Sequence, residues 1–246
     1  MNETAAKTRL FQAFRARRLA LPVILLLLVL AIAGCGSSSS SSSGNGVASK
    51  SADEIVAEAK KAASTATSVH VSGQIANEGK QIGINLHLVT GKGATGSLTL
   101  QGEKINIVET GSYFYINAGE SFYKQLGGTA AAQLLRGKWL KAPLSSGEFA
   151  SLAGLTNLST LLGSTLSAHG TLTKTGTTTV DGQAVVGVAD TGRQGTLYVA
   201  TTGTAYPVAI VKQGTSGGKI SFDEWNKPVT ITAPSPSVDL TKLQGG

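Results

Sequence analysis

Two runs decide the fold class: Val69-His70-Val71-Ser72-Gly73-Gln74-Ile75 and Gln81-Ile82-Gly83-Ile84-Asn85-Leu86-His87-Leu88. Val69, Val71 and Ile75 alternate with polar neighbours, as do Ile82, Ile84, Leu86 and Leu88. Successive side chains of a strand point to opposite faces, so each run makes one apolar and one polar face. Asn77-Glu78-Gly79 between them supplies hairpin-turn chemistry. An antiparallel sheet with one face on a core is therefore expected.

The pattern continues outward. Short alternating segments at Ser97–Gln101, Lys104–Glu109 and Ser112–Asn117 extend a meander. Strands resume at 168–174, 177–180, 184–190, 195–200, 207–212 and 219–224, with a last extended piece at 229–232. Upstream, Ser51-Ala52-Asp53-Glu54 reads as a capping box, the serine capping the helix and the glutamate reaching back three residues. Ile55, Val56, Ala59, Ala63 and Ala66 then share one helical face up to about Thr67. In the middle, 129–136 and 147–162 are rich in Ala and Leu without alternation and read as short helices, with Trp139–Ala142 as a brief strand between them. Tyr113, Phe114, Tyr115, Phe122 and Tyr123 form the densest aromatic cluster and are expected on adjacent strands. The fold class is α+β: a strongly curved antiparallel half-barrel of about eleven strands, its concave face covered by an N-terminal helix and a helical insertion. A sheet this wide must curl or close.

The N-terminus has a different logic. Lys7, Arg9, Arg15, Arg17 and Arg18 precede an apolar run from Leu19 to Ala33. At about 1.5 Å per residue this run spans roughly 22 Å, short of a hydrocarbon core of about 30 Å. A basic stretch, a short apolar run and small residues make a secretory signal. Ile32-Ala33-Gly34-Cys35 resembles the bacterial lipobox, in which a cysteine after small residues receives a diacylglycerol. The expected organisation is a signal peptide at 1–34, lipidated Cys35 with a Ser/Gly-rich tether at 35–50, a domain at 51–235 and a flexible tail at 236–246. The anchor places the domain on the outer face of the cell membrane. Export by the general or the twin-arginine route is open.

Composition excludes several functions. Five of the 21 basic and one of the 14 acidic residues lie in the signal segment, so the mature chain is nearly neutral and makes no case for nucleic acid. One cysteine permits no intrachain disulfide. Gly91-Lys92-Gly93-Ala94-Thr95-Gly96 matches a dinucleotide fingerprint, but strands flank it on both sides where a following helix is required. Gly214-Thr215-Ser216-Gly217-Gly218 matches a nucleophile elbow, yet no histidine follows Ser216. His70, His87 and His169 show no metal-ligand spacing. No cofactor, metal or catalytic constellation is expected, and the chain does not read as an enzyme.

The C-terminal half carries a family resemblance. Val180-Asp181-Gly182-Gln183-Ala184-Val185-Val186-Gly187-Val188 is similar to a hairpin of the LppX/LprAFG family of bacterial lipoproteins. Gly195-Thr196-Leu197-Tyr198-Val199 with Tyr206-Pro207-Val208 is similar to its next strand pair, and Phe222-Asp223-Glu224-Trp225-Asn226-Lys227-Pro228-Val229-Thr230-Ile231 to its closing strand. The chain departs from a typical member in its few aromatic residues and many Gly and Thr. The resemblance implies a LolA/LolB-like half-barrel that binds lipid or glycolipid acyl chains in an apolar cavity and carries them within the cell envelope, with an envelope transporter as a further partner. It implies no catalytic residues.

The residues suggest the wall of such a cavity: Ile84, Leu86, Leu88, Leu98, Leu100, Ile107, Phe114, Leu152, Leu155, Leu158, Val186, Val188, Leu197, Val199 and Phe222. Two other readings stay open. One is a surface binding or sensor module with a filled core, the other an enzyme acting on envelope polymers. If the lipobox reading holds, Cys35→Ser eliminates incorporation of radiolabelled palmitate, and the chain accumulates at precursor mass by mass spectrometry. Undiminished labelling would contradict it.

Overall fold

The computed structural model describes residues 44–77, 79–145, 160–161 and 170–243. Cys35, the signal segment and Leu152, Leu155 and Leu158 lie outside them. No helix among the described residues is long and apolar enough to cross a membrane.

The chain enters through a 3-10 turn (Val47–Ser49) into helix α1 (Ala52–Ser64). The capping box is present: the Glu54 N–H donates to Ser51 Oγ at 3.4 Å, and the Ser51 N–H donates to Glu54 Oε2 at 2.9 Å. These bonds satisfy amide groups that the first helical turn leaves unpaired. Ile55, Val56, Ala59 and Ala63 are buried on one side, as their spacing predicts. The tether ends earlier than expected. Asn45 Nδ2 donates to the carbonyls of Ala200 and Gly203, and Val47 is buried. Residues 45–50 therefore belong to the packed domain.

Ten strands follow the predicted runs: β1 (Ser68–Asn77), β2 (Lys80–Val89), β3 (Gly93–Leu100), β4 (Glu103–Thr110), β5 (Tyr113–Asn117), β6 (Trp139–Pro143), then β8 (Gln183–Asp190), β9 (Gly195–Ala200), β10 (Pro207–Lys212) and β11 (Gly218–Asp223). The two segments expected at 168–174 and 177–180 are one strand, β7 (Leu172–Val180), interrupted by a register shift between Lys174 and Gly176. No strand forms at 229–232. Instead β12 (Ser237–Asp239) pairs in parallel with β6 and runs into a final turn of helix, α3 (Leu240–Leu243). Part of the expected flexible tail thus closes a sheet edge.

Helix α2 (Glu120–Leu135) begins well before the predicted 129–136 segment, and non-helical Gly127 and Gly128 interrupt it. Phe122 and Tyr123 therefore sit on a helix, not on a strand. Tyr123 is fully buried, and its hydroxyl donates to the Ile116 carbonyl at 3.0 Å. An aromatic run is ambiguous between strand and buried helix, and tertiary packing decided this one.

The twelve strands form one unclosed, curved sheet in the order β12-β6-β5-β4-β3-β2-β1-β11-β10-β9-β8-β7. The curved, helix-capped sheet agrees with the expected α+β half-barrel, with twelve strands for about eleven. Two meanders, β1–β6 and β7–β11, meet where β1 pairs with β11. Register sets inward-facing rows across both. One row runs Val186, Val199, then Phe222, Val71, Leu86, Gly96, Ile107, Ile116 and Leu140. A parallel row runs Val188, Leu197, Ile210, Ile220, Gly73, Ile84, Leu98 and Ile105. Buried members of both rows, with the apolar face of α1, form a single hydrophobic cluster. Glu109 continues the inward series of β4 and is buried, its Oε2 without a hydrogen-bond partner among the described residues.

The seam between the meanders relies on glycine. Gly73 and Gly218 both have φ of +148°, and a Cβ on either would lie 2.1–2.2 Å from a carbonyl oxygen of the facing strand. That is far inside contact distance, so Gly73→Ala is expected to destabilise the fold by about 1–3 kcal/mol in chemical denaturation. A second expectation concerns pH. Asp181, in the β7–β8 turn, accepts hydrogen bonds from Lys219 Nζ and Ser221 Oγ of β11. The Lys219 bond, then the Ser221 bond, hold its carboxyl below the usual aspartate range. A carboxyl with a depressed folded-state pKa stabilises above its unfolded pKa of about 4 and loses that contribution as pH falls through the folded value. Asp181→Asn should therefore melt below wild type at pH 7 and approach it as pH falls below the unfolded aspartate value.

Candidate functional site

The inward rows are not equally covered along their length. At the β8–β9–β10 end, consecutive members Val188, Leu197 and Ile210 form the floor of an open cleft of about 830 Å³. Val56 of α1 and Leu172 of β7 supply its apolar flanks. Val56, Val188 and Leu197 are buried, and Leu172 and Ile210 half-buried. The volume falls in the range of about 300–1,000 Å³ usual for small-molecule pockets.

Two hairpin turns make the mouth. Gly192, Arg193 and Gln194 come from the β8–β9 turn, and Gln213 to Ser216 from the β10–β11 turn. The Gln213 N–H donates to the Gln194 carbonyl at 2.9 Å, so the two turns are tied edge to edge. Asp190 lines the cleft but is engaged in its own turn. Its Oδ1 accepts from the N–H groups of Gly192 at 3.0 Å and Arg193 at 3.2 Å, and its Oδ2 from that of Gly170 at 3.2 Å. Arg193 and Lys212 are exposed at the mouth, so a polar and cationic rim surrounds an apolar floor.

The predicted wall residues divide. All twelve that the structure describes belong to one apolar cluster: Leu86, Leu88, Leu98, Ile107, Phe114, Val186, Val188, Leu197, Val199 and Phe222 as buried members, with Ile84 and Leu100 half-buried against them. Only Val188 and Leu197 line the cleft. The others pack along the rest of the inner face. Val56, Leu172, Ile210 and the two turns were missed as lining. Helical spacing put Val56 on the apolar face of its helix, whereas Ile210 reaches the inner face through its register opposite Leu197. That α1 would lie over the β7–β10 side was not readable locally.

The two glycine motifs lie where their flanks imply. Gly91–Gly96 spans the β2–β3 turn and the start of β3, and Gly214–Gly218 spans the β10–β11 turn and the start of β11. Both join strand to strand. The histidines behave differently: the β1–β2 register sets His70 opposite His87. His169 lies outside the described residues.

A curved antiparallel sheet with helices on its inner face and an open apolar cleft defines the class of an incomplete β-barrel. The solved structure of LprF from Mycobacterium bovis shares this fold, with 18% identity, a TM-score of 0.53, and coverage of 74% of this chain and 96% of that one. The fold is thus LprF-like, in agreement with the LppX/LprAFG resemblance in the sequence. The lipoprotein LppX of Mycobacterium tuberculosis is also similar, at 18% identity and a TM-score of 0.49, over 74% of this chain and 98% of that one. No protein-family profile matches the chain, and no curated protein matches it.

Proposed function

We propose that this chain is a membrane-anchored lipoprotein that takes lipid or glycolipid acyl chains into the cleft beneath α1 and carries them within the cell envelope. The carrying observation is the cleft itself: Val188, Leu197, Ile210, Val56 and Leu172 form an apolar floor under a polar, cationic mouth. Burying hydrocarbon there gains about 0.8 kcal/mol per CH₂, so a sixteen-carbon chain gains on the order of 10 kcal/mol before ordering costs. Arg193 and Lys212 suit a polar or anionic headgroup left at the mouth. Such binding needs apolar walls and an opening, and no catalytic group.

Anchoring follows from the lipobox reading of Cys35. A lipid on that cysteine holds the domain at the outer face of the cell membrane, where its ligands reside. Hand-over to an envelope transporter fits a cleft whose mouth consists of two hairpin turns.

A second reading is a surface binding or sensor module with a solid interior. It is favoured by the burial of ten predicted wall residues, including Leu88, Ile107 and Phe114 at 0–2% exposure. One experiment separates the two. The full chain is purified from native membranes, extracted with chloroform–methanol and analysed by mass spectrometry, the Cys35 adduct being counted separately. The carrier reading expects about one extractable lipid per chain, reduced at least tenfold in Leu197→Trp and Val188→Trp while circular dichroism is unchanged. Equal recovery from wild type and both variants, or no lipid beyond the covalent anchor, would overturn it.

A further inference from the structure

The outer face of the sheet carries a group that the cleft does not use. His70 lies between buried Val69 and Val71, and His87 between buried Leu86 and Leu88, so alternation turns both imidazoles outward. They face each other across β1 and β2 with stacked rings, centroids 4.4 Å apart. Glu224, directly after β11, brings its carboxylate to the same place. His87 Nε2 and Glu224 Oε2 are 3.2 Å apart, and one ligand atom from each of His70, His87 and Glu224 lies within 4.8 Å of the others.

Two further observations point to a cation. First, His70 Nδ1 lies 2.7 Å from Asp223 Oδ1. A carboxylate on Nδ1 fixes the proton there and directs the lone pair to Nε2, the usual second-sphere arrangement of a metal-bound histidine. Second, Glu224 Oε1 is held by Lys227 Nζ at 3.0 Å, which orients Oε2 toward His87. Glu224 has a φ of 51° in the turn that follows β11. Asn226, at φ 61°, is explained locally, since its side chain accepts the Thr67 N–H and its own N–H donates to the Ser68 carbonyl. Glu224 is likewise accounted for by its own turn, since its carbonyl accepts the Lys227 N–H at 3.1 Å.

We propose that His70, His87 and Glu224 bind a zinc ion on the outer face of the sheet, clasping β2 and β1 to the end of β11. Imidazole nitrogen with carboxylate oxygen is a donor set suited to zinc and similar borderline dications. Tetrahedral ligands at about 2.0–2.1 Å from zinc stand about 3.4 Å from one another, close to the His87–Glu224 spacing already in place. The remaining closure is a small rotation of the His70 ring away from Asn85, whose Oδ1 lies 3.3 Å from His70 Nε2. The side chains retain 17%, 31% and 40% exposure, so the ion has access and water completes the fourth position. Because β1 and β2 belong to one meander and Glu224 to the other, the ion would staple their seam.

The test uses the full chain, purified in detergent without a polyhistidine tag and stripped with chelator. Zinc titration by calorimetry should show one saturable site, and cobalt should give the visible absorption of a tetrahedral centre. His87→Ala and His70→Ala should each weaken zinc binding at least tenfold, and zinc should raise the melting temperature of wild type but not of the variants. Glu224→Gln, on an exposed turn with both histidines retained, covers the case in which a histidine variant fails to fold, and should also weaken binding at least tenfold. Absence of a saturable one-ion site, or unchanged zinc affinity in Glu224→Gln or in the folded double histidine variant, would overturn the proposal. Lipid recovery from the cleft reads out separately and does not depend on this site.

Discussion

The architecture depends on the antiparallel pairing of β1 with β11. Each meander is local, with strands joined by short turns except where α2 intervenes between β5 and β6, and each would form an open sheet with an unpaired edge at this point. The pairing of Val71 with Phe222, and of Gly73 with Ile220, joins residues about 150 positions apart. It makes one inward row continuous from Val186 to Leu140 and so assembles one core from two half-sheets. Closing so long a loop costs entropy that only many contacts formed together repay. The seam supplies them on both faces: Phe222 and Val71 inside, and outside His70 with Asp223 and the Ser68 hydroxyl with the Lys227 carbonyl.

That seam explains a composition otherwise odd for a sheet protein. Thirty-one glycines in 246 residues weaken strands on propensity grounds. Gly73 and Gly218 sit where facing backbones approach too closely for any side chain, and Gly96 does the same opposite Asn85. A glycine in an inward row also leaves a gap in it. Gly73 stands in the row that continues to Ile210, Leu197 and Val188, and the members beside it, Ile220 and Ile84, are only half-buried.

What the sequence disclosed follows the range of each interaction. Alternation is local, so the strands from Ser68 to Asn117 and from Gln183 to Asp223 were legible, as was the Ser51–Glu54 capping box, although β3 starts at Gly93, four residues before the expected Ser97. Register is not local. Nothing near His70 announces His87, seventeen residues on, or Glu224, after β11, so the outer cluster was invisible until strands were paired. Asn45 was read as linker because its partners, Ala200 and Gly203, are more than 150 residues away. Phe122 and Tyr123 were misplaced because an aromatic pair carries no period of its own, and Ser237–Asp239 is too short to show one. Membership of the inner face was readable for the twelve wall candidates that the structure describes. Which of them border empty space depends on where α1 comes to rest.

The seam and the cleft are mechanically linked. The β10–β11 turn contributes Gln213 to Ser216 to the mouth, and β11 pairs along β1 as soon as it leaves that turn, with Gly218 beside Ile75. The Ala76 N–H reaches the Gly217 carbonyl at 2.8 Å, extending this pairing into the turn itself. On its other side the turn is tied to the β8–β9 turn through Gln213 and Gln194. The β10–β11 turn is thus held by β1 on one side and, through the Gln213–Gln194 bond, by the other lip of the cleft. An ordered seam holds both lips at a fixed separation, so a ligand of the proposed kind would meet a preformed mouth and spend little of its binding energy on ordering it.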